Sequence, residues 1–350
     1  MSGGIAQLVS IGAQDAHIVG KPEVSFFRSN YKRHTNFAQT VERQVIQGNP
    51  TANGMSTVRF ERKGDLLSYV YLAPNDGVKA KKFSPNNWIG QIAKVELLIG
   101  GQVIDEHTST FSQYIAPQIL AQSITKSKSG FAEAESKFYP LRFSFCENWQ
   151  SAIPLLALQY HDVEIRITWG ASLSDKWECY AHYVYLDTDE RSTLAGNSHN
   201  MLITQTQRAI ASHSKIQEIN FNHPVKILAA GMSDGTALTI ADDNNKLKLQ
   251  INGTDVTDFK YVDPHFTAVP AYYHTNATKD QDGTGENDKL FLYPFCLDTC
   301  KLQPTGSLNF SRLDSARIVC DTAVHDADIY GVNYNILRIE NGMGGLMYSN

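Results

Sequence analysis

Apolar and polar residues alternate over short stretches of this chain. The clearest are Thr57-Val58-Arg59-Phe60-Glu61-Arg62, Tyr69-Val70-Tyr71-Leu72, Lys94-Val95-Glu96-Leu97-Leu98-Ile99 and Val163-Glu164-Ile165-Arg166-Ile167-Thr168. A period of two places successive side chains on opposite faces, so each stretch predicts a strand with one face buried. Residues 221–230, 246–251, 290–295 and 315–319 predict further short strands downstream. Between two apolar runs, Gly100-Gly101 predicts a tight hairpin, because paired glycines supply the positive φ that primed turns need. One helical island is expected from Asp187 to Gln207, with Asp187 or Thr188 as its cap and Asp189 and Glu190 in the first turn, where the helix dipole favours acid. Residues 276–288, rich in Asp, Gly, Thr and Asn, predict a solvated loop.

Strands thus dominate on both sides of residues 195–215, and the expected class is all-β, with two sandwiches each closing a core between two sheets. Length and composition agree. The 350 residues suit two domains, and 16 Phe, 16 Tyr and 4 Trp favour pleated surfaces. Charged residues make up 19%, and 31 basic against 36 acidic side chains leave a net charge of −5 with no block of like charge. Direct binding of nucleic acid is therefore not expected. No apolar run approaches the ~20 residues of a membrane helix. The first 20 residues lack a basic head, and Ser2 stands where myristoylation needs glycine, so neither a signal peptide nor that anchor is expected. Five cysteines at scattered spacings suit free thiols.

The chemistry-bearing motifs are sparse. The chain holds no Gly-rich phosphate loop, no Gly-x-Ser-x-Gly elbow and no His-Glu-x-x-His. His161-Asp162-Val163-Glu164, His325-Asp326-Ala327-Asp328 and Cys296-x-x-x-Cys300 approach metal-ligand spacing, but each lacks the neighbours that would complete a ligand set. Neither an enzyme nor a cofactor is expected. Residues 26–34 interleave aromatic and basic side chains and are read as an interaction arm or strand. Asn-x-Ser/Thr triplets begin at Asn252, Asn276 and Asn309. The aromatics around Trp169 and Trp177 could stack on sugars, which keeps a carbohydrate-binding attachment protein open as an alternative.

Particular words carry more than composition does. They include Gly4-Ile5-x-Gln7-Leu8-Val9, Phe26-Phe27-x3-Tyr31-x-Arg33-His34-Thr35-Asn36-Phe37, Arg62-Lys63-Gly64-Asp65-Leu66-Leu67-Ser68 and Leu98-Ile99-Gly100-Gly101-Gln102-x-Ile104-Asp105. Further along stand Ile153-Pro154-Leu155-Leu156-Ala157-Leu158-Gln159-Tyr160-His161, Tyr185-Leu186-Asp187-Thr188-x-Glu190-Arg191 and Phe221-Asn222-His223-Pro224-Val225-Lys226. The tail adds Gln303-Pro304-x-Gly306-x3-Phe310-Ser311-Arg312-Leu313-Asp314, with Asn309 inside it, and Gly342-Met343-Gly344-Gly345-Leu346. In this order, over essentially the whole chain, the sequence resembles the major capsid proteins of the nucleocytoplasmic large DNA viruses of eukaryotes, of the iridovirus, phycodnavirus and mimivirus type.

The resemblance implies two tandem eight-stranded antiparallel jelly rolls with a short linking helix: an arm at 1–21, a first jelly roll at 22–195, a linker at 196–214 and a second jelly roll at 215–350. It implies a virion protein assembled in the host cytoplasm as a homotrimer of pseudo-hexagonal outline. Neighbouring capsomers, minor capsid or cement proteins and inner viral membrane proteins would be its partners. Assembly roles then fall to Arg33, His34, Asn36, Phe37, Arg62, Gly64, Gly100, Gly101, Arg191, His223, Pro224, Asn309, Phe310, Arg312 and Asp314. The glycines would set turns, and the arginines would offer forked donors to carboxylates and carbonyls. Two departures, Asn252-Gly253-Thr254-Asp255 without a following Arg and Val269-Pro270-Ala271-Tyr272-Tyr273 before His274-Thr275, keep a minor capsid or other virion protein on the same fold as an alternative.

Overall fold

The computed structural model describes residues 3–27, 29–83, 85–127, 136–173, 176–231, 238–241, 244–276 and 290–349. Beyond Asn276, the expected loop at 276–288 lies outside the described residues, as does Arg28. The chain divides into two units, 1–36 and 37–350. In the first, short helices span Gly3–Val9 and Ala16–Val19, and the Asp15 carboxylate accepts a hydrogen bond from the Gly12 amide at 2.7 Å. No side chain of either helix is buried.

The second unit holds the strands. Those of its first half are β1 (Phe37–Gln44), β2 (Ile46–Gln47), β3 (Met55–Arg59), β4 (Leu66–Asn75), β5 (Ile92–Ile99), β6 (Gln102–Thr108), β7 (Tyr139–Pro140), β8 (Ile153–Pro154), β9 (Val163–Trp169) and β10 (Lys176–Leu186). They form one sheet in the order β1-β10-β4-β7 and another in the order β2-β3-β9-β5-β6. In the second half come β11 (His199–Ala209), β12 (Ile216–Glu218), β13 (Pro224–Gly231), β14 (Lys246–Ile251), β15 (Thr254–Asp255), β16 (Lys260–Tyr261), β17 (Leu290–Pro294), β18 (Leu308–Asn309), β19 (Ala316–Cys320), β20 (Ile329–Glu340) and β21 (Met343–Leu346). Here the orders are β11-β20-β13-β17 and β12-β19-β14-β15. Each half therefore repeats the interleaved antiparallel path of a jelly roll, which leaves few long exposed edges.

The expected helix is shorter than its composition suggests. It spans Thr188–Gly196, capped by the Asp187 carboxylate, which accepts from the Thr188 amide at 2.7 Å. Residues 199–209, expected in the helix and in the linker, form β11 instead. The physical reason is the partner: β11 pairs along its whole length with β20, from His199 opposite Ile339 to Ala209 opposite Ile329. A continuous ladder outweighs the modest helix propensity of Met201-Leu202-Ile203.

Among the described residues three apolar clusters fill the unit. One lies between the sheets of the first half and includes Trp88, Trp169, Trp177 and Tyr183; Ile203, Leu337 and Ile339 of the second half reach into it. Another, with Phe221, Leu228, Leu247, Phe291 and Ile318, closes the second half. The third joins the halves: Phe111, Ile115, Ala116, Ile119 and Leu120, on helical turns Phe111–Ile115 and Ala116–Ile119, lie against Ile227, Ala229, Leu290, Leu292, Tyr330 and Val332. Strand β13 shows why. Val225, Leu228 and Ala230 face the second core, while Ile227 and Ala229 face the 111–119 helix. The run Pro-Val-Lys-Ile-Leu-Ala-Ala-Gly is nearly uninterrupted in apolar character because the strand is covered on both faces.

Polar groups complete the join. Buried Asp105 accepts the Thr206 amide at 2.8 Å and lies 2.9 Å from His107 Nε2. The Thr108 and Tyr330 hydroxyls meet at 2.8 Å, and the Gln205 side-chain amide donates to the Ile104 carbonyl. In the second core His325 is fully buried beside Cys320, and burial pushes its imidazole down to about 4.

Ile115→Ala should cost about 3 kcal/mol of stability, read from the urea midpoint, because the rigid sheet behind it cannot close over the lost methyls. His325 takes up its proton more readily when unfolded, at its ordinary value of 6.5, than when folded. Stability should hold above pH 6.5 and fall between 6.5 and 4, by up to about 3 kcal/mol. His325→Gln should flatten that slope in unfolding curves taken across the same range.

Candidate functional site

The residues picked out by motif gather at three places. The first surrounds Asp65. Its amide donates to the Val184 carbonyl at 3.0 Å, and its carboxylate accepts the Leu186 amide at 2.8 Å and lies 3.0 Å from Arg191 Nε. Arg191 thereby ties an otherwise exposed, polar helix to the start of β4. Beside it, Arg62 donates to Asp162 at 3.4 Å, and Arg59 pairs with the other oxygen of the same carboxylate. Gly64 serves close approach rather than a turn, since a Cβ there would stand 2.8 Å from Cβ of Tyr183. Sequence reasoning chose Arg62, Gly64 and Arg191 and missed Asp65, although it sits inside the quoted Arg-Lys-Gly-Asp word. An acid within an apolar strand start was the available signal.

The second place is the hairpin of β5 and β6. Ile99 pairs with Gln102, and Gly100 and Gly101 turn between them with φ of 58° and 82°, a path open to glycine without strain. The C-terminal strand β21 comes to this hairpin. Leu346 donates its amide to the Gln102 side chain at 3.4 Å, His161 Nδ1 is 2.8 Å from the Gly344 carbonyl, and the Tyr160 amide donates to the Gly342 carbonyl at 2.9 Å. A Cβ on Gly344 would stand 2.6 Å from Leu158. Three words distant in sequence thus form one contact between the halves.

The third lies at the start of β13. His223, at φ 64°, donates its amide to Ser311 Oγ at 2.8 Å and accepts the Phe310 amide at 3.1 Å. Pro224 pairs with Asn309, whose carboxamide accepts the Ser311 amide at 3.1 Å. Phe310 is buried, its ring centroid 6.1 Å from that of Phe221 and 5.8 Å from that of Phe295. His223, Pro224 and Asn309 line an open cleft of about 490 Å³ with Leu202, Tyr334 and Tyr348. Arg312 is exposed, and the Asp314 amide donates to the Asn252 side chain at 2.9 Å. Asn252 and Asn309 both use their Oδ1 to hold backbone. Arg33, His34 and Asn36 are exposed in the 1–36 unit, and Phe37 opens β1 opposite Leu186.

The sugar-stacking expectation for Trp169 and Trp177 is overturned by packing. Both are buried, with ring centroids 5.3 Å apart, and the Trp169 indole donates to Ser56 at 2.8 Å. Among the described residues no three His, Cys, Asp or Glu converge as metal ligands. Burial pushes the Cys296 and Cys300 thiols up, away from the thiolate form that binds metal. What the geometry does contain is polar fastening around a buried apolar weld.

Comparison with known proteins agrees. A model described as the major capsid protein N-terminus matches residues 25–187, and one described as the large eukaryotic DNA virus major capsid protein matches residues 232–345. The chain belongs to the major capsid proteins of large eukaryotic DNA viruses. The major capsid protein of Pyramimonas orientalis virus is 35% identical with both chains covered in full, and that of Paramecium bursaria Chlorella virus 1 is 28% identical, again with full coverage. Among solved structures, the PBCV-1 virus capsid superposes with a TM-score of 0.74 at 24% identity, over 93% of this chain and all of that one. The Faustovirus major capsid protein gives 0.60 at 10% identity, over 94% of each chain. These likenesses establish the double jelly-roll fold. The place of the protein is the virion capsid.

Asp65→Ala should cost about 2 kcal/mol in chemical denaturation, mainly because it strands the Leu186 amide, with a smaller loss from the half-exposed Arg191 pair. Arg191→Ala, half exposed, should cost under about 1 kcal/mol while loosening the 188–196 helix in hydrogen exchange.

Proposed function

We propose that this capsid protein is the main tile of its shell, assembling as a homotrimer of pseudo-hexagonal outline that covers an icosahedral surface. The observation that carries this reading is the internal repeat. Two jelly rolls of the same strand order are welded side by side in one chain, so three chains supply six similar modules. The weld is apolar and buries large side chains, as a permanent contact does, whereas polar flanks suit the weaker, reversible contacts between capsomers. The 35% identical relative, itself a major capsid protein, favours the main tile over a minor paralogue.

Neighbouring capsomers, minor capsid or cement proteins and inner-membrane proteins are the partners proposed, with assembly in the host cytoplasm and no direct contact with the genome. Residues 1–21, short of charge and almost wholly exposed from Gly3 onward, are proposed as an arm ordered by a neighbouring subunit. The recombinant chain should run in light scattering coupled to size exclusion as a species of three chains, with a six-sided outline in negative-stain images. A species of one chain under the same conditions overturns the reading.

A further inference from the structure

The two jelly rolls repeat each other's strand order, and among the described residues the repeat shows one surface covered where its counterpart is more open. Sheet β1-β10-β4-β7 corresponds to sheet β11-β20-β13-β17. Across the first, Arg43, Tyr180 and Tyr71 lie in register; across the second, Arg208, Tyr330, Ala229 and Leu292 do. Arg43 pairs with Glu178 at 3.5 Å, two residues before Tyr180, and Arg208 pairs with Asp328 at 2.6 Å, two residues before Tyr330. The same ion pair thus marks the same place on both sheets.

In the second jelly roll that face is sealed. The 111–119 helix, inserted between β6 and β7, covers it; Phe111 lies 5.4 Å from Tyr330, and both are buried. In the first jelly roll the equivalent face carries a ladder of rings: Tyr71 on Tyr180 at 5.4 Å, Phe138 against Tyr71 at 5.8 Å, and Tyr69 on His182 at 4.4 Å. Tyr69 and Phe138 are 41% and 49% exposed. The second jelly roll also has an insertion at the equivalent point, between β16 and β17. Its helix Ala268–His274 presents Tyr272 and Tyr273 as an edge-to-face pair 4.9 Å apart, 75% and 72% exposed.

We infer that the 268–274 helix of one copy docks, through Tyr272 and Tyr273, on the Tyr69-Tyr71-Tyr180 face of the next copy, repeating between chains the weld already present within the chain. The occupant is a second copy because the covered half displays the fit: an insertion helix on a sheet face, aromatic side chains at the centre, an Arg–acid pair at the rim. The contact is heterologous, each copy giving its helix and receiving on its sheet, so it closes into a ring when the rotation allows. This inference rests on the trimer reading and names the surfaces that build it.

The test is a dilution series in light scattering with the full chain. Tyr272→Glu/Tyr273→Glu, on an exposed helix, and Tyr71→Glu, on the opposing face, should each weaken the trimer on the order of 30-fold or more. Val78→Glu, on an exposed loop, should leave it unchanged, and all three should melt as the parent monomer does. Trimers as resistant to dilution in both Tyr variants as in the parent overturn the seam while leaving the trimer standing. Loss in only one of the two variants overturns the pairing of these two surfaces. A parent chain that never trimerises overturns the trimer reading and the seam together.

Discussion

Strands β20 and β13, central in the sheet β11-β20-β13-β17, are buried on both faces, and the architecture of the second unit depends on that double burial. One face closes the core of the second jelly roll, and the other is sealed by a helix that belongs to the first. Burial of this kind, at roughly 25 cal/mol per Å² of apolar surface, joins the halves in one compact unit. The polar seam beside it is largely paired, although His107 Nδ1 meets no hydrogen-bond partner among the described residues. Asp105 is met by the Thr206 amide and His107, and the Tyr330 hydroxyl by Thr108, because a polar group stranded next to such a weld would cost more than its partner returns.

The motif residues hold segments of this capsid protein in place. Asp65 pins the end of β10 and the helix after it; Gly344 lets β21 lie against Leu158; His223 and Asn309 lock the entry to β13. Each fixes a segment where the chain passes from one sheet to another, which is where a jelly roll is least held by its own ladders.

Much of this was legible in the residues. Period-two runs mark the strands, Gly100-Gly101 marks its hairpin, and the ordered words mark the family. The limits were physical. The helix from Asp187 stops at Gly196 because pairing with β20 claims residues 199–209, and no local signal announces a partner some 130 residues away. Trp169 and Trp177 suit sugar platforms by composition, and only their burial in the first core removes them from that role.

By itself the sequence determined the all-β class, the tandem division and the capsid family, since these rest on local periodicity and on words that survive without a partner. Tertiary structure alone decided which apolar strand faces are covered and which are bare. A run such as Ile227-Leu228-Ala229-Ala230 and a ladder such as Tyr69-Val70-Tyr71 both offer surface that a neighbouring element could cover. What separates them is that a helix some 110 residues distant in the chain folds back over the first, whereas among the described residues no helix covers the second.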